Sequence, residues 1–152
     1  MCSKTTRRQW FGLLMAVLTF IPLAASADAP AQNRVQARFE VRFMTEMIDH
    51  HAMALEMGAL CVEKAVHPEL KQLCEEMIAA QTAEIATMQT WLQDWYGVTH
   101  EPEMSPEDEQ QIEELVSLSG EEFEIEFMRM MIRHHATAVV RGVECVRRAP
   151  HR

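Results

Sequence analysis

The sequence predicts an all-α protein built on a duplicated helical segment, and three observations carry that reading. Ala, Glu, Gln, Leu and Met dominate, whereas 152 residues contain only 5 Gly and 6 Pro. Val, Ile and Thr are scattered without strand-like alternation, and apolar side chains recur at helical spacing instead. Finally, residues 39–67 and 123–151 match at a constant offset of 84.

The chain starts with Lys4, Arg7 and Arg8 ahead of an apolar run from Trp10 to Ala25, then Ala25-Ser26-Ala27 before Asp28. That order of basic, apolar and small residues predicts a signal peptide, residues 1–27, cleaved after Ala27. Arg7-Arg8 fits a twin-arginine signal, and an ordinary Sec signal fits equally. The run is too short to span a bilayer, and no later stretch reaches the roughly 20 apolar residues a spanning helix needs. We therefore expect an exported, periplasmic or secreted protein without a stable membrane anchor. Without the three leader cations, 11 basic residues face 23 acidic ones, a formal charge of −12 over residues 28–152. Such a surface attracts cations and repels nucleic acid.

Four helices follow in order. The first runs from about Gln32 to Val66, and His67-Pro68 turns the chain into a return helix from about Pro68 to Tyr96, because Pro suits a first helical turn. Gly97 closes that helix, and Thr99 to Met104 form a polar linker. Ser105-Pro106-Glu107-Asp108 caps a short acidic helix reaching about Leu118. Ser119-Gly120-Glu121-Glu122 opens the last helix, to about Arg148. In these terms the domain occupies 28–152, with a first copy at 35–96, a linker at 97–118 and a partial second copy at 119–152.

Within the repeat, Phe39, Glu40, Phe43, Met44, Met47, Ile48, His50, His51, Gly58, Cys61 and His67 recur as Phe123, Glu124, Phe127, Met128, Met131, Ile132, His134, His135, Gly142, Cys145 and His151. At 3.6 residues per turn, Glu40, Met44, Met47 and His51 form one stripe facing the core, with His50 a quarter-turn aside. Met77, Gln81, Glu84 and Met88 repeat that spacing on the return helix, followed by Trp91. In an antiparallel hairpin turning at His67-Pro68, His51 comes level with Glu84, Met47 with Met88, and Met44 with Trp91. Cys61 comes level with Cys74, which predicts a disulfide in an oxidising compartment. Cys145 has no such partner.

Of the 12 methionines, 10 lie after the leader, a several-fold excess over common usage. Thioether and neutral imidazole are the side chains that suit copper(I) or silver(I). Met44, Met47, His50, His51, Glu84 and Met88 are therefore the first candidate site, with Glu84 able to orient His51 from behind. Met128, Met131, His134 and His135 are the second. Met53, Met57 and Met130 lack repeat counterparts and read as packing. His67 and His151 mark helix corners and read as structural, and His100 in the linker receives no role.

The pattern Phe43-Met44 through Met47-Ile48-Asp49-His50-His51-Ala52, with Gln81, Glu84-Ile85, Met88 and Trp91-Leu92 on the next helix, resembles the CopM-like family. This is the ferritin-like group also known as domain of unknown function 305. Leu118-Ser119-Gly120 through Phe127-Met128 and His134-His135 resembles the same opening, so the likeness covers nearly all of Val35 to His151. It implies a ferritin-like four-helix-bundle type of fold and copper binding through Met and His in the periplasm. Copper(I), silver(I) or copper(II) would be the metal, and periplasmic copper-handling proteins the partners. The second copy stops where its own return helix is due. A truncated chain, a last helix packed on the first hairpin, and a homodimer whose chains complete each other all fit.

Two other classes of function fit less well. A di-iron bundle needs Glu-x-x-His motifs, and Met47, Ile48, Met131 and Ile132 occupy the positions three before the four histidines. A metal-free helical interaction module would use the repeat for packing alone. No nucleophile with its base, phosphate loop or zinc-type cysteine set is present, so no enzyme is expected.

Overall fold

Asn33 fixes the start of the first helix, α1 (Arg34–Lys64), its side chain accepting from the Val35 and Gln36 amides at 3.1 and 3.0 Å. The structure, a computed structural model, describes residues 30–148. The leader and His151 lie outside the described residues. The helix ends where Ala65 turns extended, and His67, constrained by the following proline, leads into α2 (Pro68–Tyr96). Gly97 stops α2 in the left-handed region at φ 64°, which costs a glycine little. Ser105 and Asp108 form a reciprocal capping box on α3 (Pro106–Val116). The fourth helix, α4 (Gly120–Arg148), completes an all-α fold. Among the described residues no helix is long and apolar enough to cross a membrane.

α1 is the axis of the molecule and packs against all three other helices. Between α1 and α2, Met44, Met47, Ile48, Ile85, Met88 and Leu92 form one buried cluster. Nearer the α1–α2 corner, Met53, Met57, Cys61 and Cys74 meet Leu115 of α3 and Phe123, Phe127 and Met130 of α4. Cys61 and Cys74 are disulfide-bonded with Cα atoms 6.2 Å apart, as the hairpin register predicts.

Buried polar groups tie the helices at fixed points. Glu124 of α4 accepts the Val66 and His67 amides at 2.6 and 2.8 Å, and its second oxygen accepts from His67 Nδ1 at 2.6 Å. This carboxylate therefore anchors α4 to the α1–α2 corner. Its repeat counterpart, Glu40, is buried at the other end of α1 and accepts from the Tyr96 hydroxyl. Burial, helped by Glu40, pushes that phenol up to about 12. His100 is not idle. It bonds Asp49 at 2.7 Å, and the same Asp49 oxygen accepts the Glu103 amide, which pins the linker to α1.

One face of α4 departs from the sequence reading. The repeat predicts a buried stripe of Glu124, Met128, Met131 and His135, but the helix buries Phe123, Glu124, Phe127, Met130 and His134. Apart from Glu124, that face is turned by one residue, about 100° on an α-helix. The cause lies in α1: its Met44-Met47-His51 stripe is already covered by α2, so α4 packs on the flank that carries His50 and Met53. Met128 is left 44% and Ile132 70% exposed. Two glycines record the difference. A Cβ on Gly58 would meet Ile78 and Met77 of α2 at 2.8 and 2.9 Å, whereas its counterpart Gly142 has nothing within 4 Å.

Candidate metal centre

The α1–α2 stripe brings five of the predicted ligands together. Met44, Met47 and Met88 are buried in one cluster, with Trp91 packed beside them, and His51 is buried on the same face of α1. His51 Nε2 lies 2.7 Å from Glu84 Oε2. A carboxylate oxygen only accepts, so Nε2 carries a proton, and in the neutral ring Nδ1 keeps its lone pair. That Nδ1 is buried with no protein partner. An imidazole whose far nitrogen is held by a carboxylate is the arrangement found behind metal-bound histidines. Glu84 itself is 62% exposed, so the pair joins a buried imidazole to a solvent-facing carboxylate.

His50 belongs elsewhere. It turns to α4 and stacks on His134, with ring centroids 3.5 Å apart and planes at 28°. Its Nε2 donates to the His134 carbonyl at 3.1 Å, and His134 Nε2 donates back to the His50 carbonyl at 2.8 Å. Desolvation first, and His134 second, lower the His50 imidazole to about 4, and burial likewise lowers His134. Both rings are therefore neutral at ordinary pH.

The second predicted set is not assembled. Met128 and His135 lie exposed on the outer side of α4, and His135 Nδ1 donates to the Met131 carbonyl one turn back at 3.0 Å. Met131 packs at the edge of the core near the corner, and His134 faces α1. The four ligands share a helix without sharing a face that another helix closes.

Met53 and Met130, which the sequence reads as packing, do pack in the buried core, Met53 one turn after His50 and Met130 one turn before His134.

With this geometry in hand, the family profile described as a domain of unknown function, DUF305, matches residues 40–151. The chain belongs to the DUF305 family. Among solved structures it is similar to CopM in the silver-bound form, at 31% identity and a TM-score of 0.63, over 74% of this chain and 76% of that one. It is similar to CopM in the Cu(I)-bound form at 32% identity and TM-score 0.61, over 70% and 72%. The Cu(II)-bound form gives 30% and 0.63, over 74% and 77%. No protein of curated function matches the chain. The DUF305 assignment and these CopM neighbours agree with the predicted CopM-like resemblance and all-α fold.

Proposed function

We propose that this DUF305 protein binds copper(I) or silver(I) outside the cytoplasm, sequestering or transferring the ion rather than catalysing a reaction. The observation that carries the reading is His51: a buried Nδ1 lone pair without a partner, backed by Glu84, beside the Met44-Met47-Met88 cluster. Among the described residues no three His, Cys, Asp or Glu side chains are placed to hold a metal. A donor set there has to include thioether, which favours soft monovalent ions over zinc, calcium or magnesium. The acidic net charge of −9 concentrates cations at the surface. The solved neighbours are copper- and silver-bound proteins, which supports the same choice of metal.

A ligand held only by the folded chain stabilises it, by about 2.7 kcal/mol at a hundredfold excess over Kd. Anaerobic copper(I) is therefore expected to raise the melting temperature. Glu84→Gln, which keeps the side-chain shape and removes the charge behind His51, weakens affinity by about 10–100-fold. An unchanged melting temperature at saturating copper(I) would sink the proposal.

A further inference from the structure

The outer face of α4 has no part in the site just described, and its side chains keep a regular order. Ile125, Met128, Ile132, His135, Val139, Gly142 and Val146 follow one another at intervals of three and four, the heptad spacing of a helix that packs along a second helix. The stripe is open to solvent: Ile132 is 70%, Val139 64% and Val146 71% exposed, and a Cβ on Gly142 would meet nothing within 4 Å. A groove of about 480 Å³ lies against Val139, Val140 and Val143 in its C-terminal half. A contiguous apolar face of this kind marks an interaction site. The repeat shows what such a face does when it is covered. The equivalent positions on α1 include Met44, Ile48, His51 and Gly58, all buried against α2.

The charges at its two ends identify the occupant. The first turn of α4 carries Glu121 and Glu122 and the last turn Arg147 and Arg148, all exposed and about equally far from the middle of the stripe. A second α4 laid antiparallel, about a two-fold axis level with residues 133 and 134, sets the acidic end of each helix against the basic end of the other, whereas a parallel pair sets like charge on like. In the antiparallel register Ile125 faces Gly142, Met128 faces Val139 and Ile132 faces His135. The gap at the glycine therefore receives a β-branched side chain, and Ile125 and Met128 enter the valine-lined groove. A lipid surface suits the stripe less well, because a chain of net charge −9 is repelled by anionic headgroups.

We propose that two copies of this chain pair through α4, antiparallel, each covering on the other the stripe that α2 covers on α1. The pairing does not depend on metal: the outer face of α4 points away from α1, so the Met44-Met47-His51 stripe is left as it is. A seam one helix wide falls below the roughly 1,200 Å² at which standard interfaces begin, so the pair is reversible. In dilute protein the chains separate and the stripe faces water.

Sedimentation velocity with a metal chelator present, from micromolar to millimolar protein, tests the pairing. The parent is expected to pass from monomer to dimer as concentration rises. Ile132→Glu, at an exposed position where circular dichroism should report unchanged helicity, is expected to raise the dimer dissociation constant by more than about tenfold, because pairing would bury an unpaired charge. Orientation is read by cross-linking in a Cys145→Ser background. Met128→Cys with Val139→Cys is expected to oxidise to a covalent dimer. Met128→Cys alone is not, because its mate on the second copy lies about 16 Å along the helix. A parent that stays monomeric throughout overturns the proposal, and adhesion of that monomer to phosphatidylcholine vesicles would give the stripe to a membrane instead. A dimer that Ile132→Glu leaves intact uses another face and overturns it as well. Cross-linking by Met128→Cys alone overturns the antiparallel register.

Discussion

The two copies of the repeat place nearly the same residues in opposite surroundings. On α1, Met44, Met47 and His51 are at most 7% exposed because α2 lies across them. On α4, Met128 and His135 are exposed, and Gly142 is open where Gly58 is in contact. On the proposed reading, a ligand motif on one helix is only half of a site. The second helix supplies the desolvation, the carboxylate behind the imidazole and the third thioether.

The largest effect that sharpens this contrast is on stability. Phe123 is fully buried at the face α4 does use, and Phe123→Ala is expected to cost about 3–5 kcal/mol in chemical denaturation. Ile132→Ala, on the open face at 70% exposure, should stay within about 0.5 kcal/mol. Equal losses would mean that the outer face of α4 is covered in solution.

The glycine pair gives a smaller effect of opposite sign. Gly142→Ala gains about 1 kcal/mol of helix propensity with no clash. Gly58→Ala gains the same but must push Ile78 and Met77 aside, an overpacking cost of about 1–3 kcal/mol, so it is neutral to destabilising. Stabilisation by both would break the claim that α1 and α2 are in close contact there.

The smallest effect concerns the corner where the copies meet. The hydrogen bond to Glu124 raises His67 above its ordinary 6.5, and Glu69 and Glu121 add to it. The His67 amide, with its ring, lowers Glu124 below 4.5. The His67 contribution is fully present below pH 6.5 and lost as pH rises through the raised folded value. The Glu124 contribution is present above pH 4.5 and lost as pH falls through the lowered one. Urea midpoints should therefore show the tie strongest between the two, and Glu124→Gln should flatten the alkaline side of that profile.

Much of this was legible in the sequence. Pro68, Gly97 and Ser105 mark helix ends chemically, so the elements were placed within about two residues, the usual uncertainty of a helix end. The hairpin register then paired His51 with Glu84 and Cys61 with Cys74, because two antiparallel helices from one tight corner have a single alignment. The α4 face was not legible, since a repeat predicts the same stripe in both copies and says nothing about which neighbour remains to cover it. His50 and Met130 took their places from that packing, as did the His100–Asp49 tie, which joins residues far apart in the chain.

The central claim is that the motif binds metal where α2 closes it. Copper(I) affinity, measured anaerobically against a chromophoric competitor, tests it most directly in two matched variants checked for helicity. His51→Ala, Met47→Leu is expected to lose affinity by more than the roughly 10–100-fold that an outer carboxylate contributes, while His135→Ala, Met131→Leu leaves it unchanged. Equal loss in both, or loss only in the α4 variant, would contradict the account.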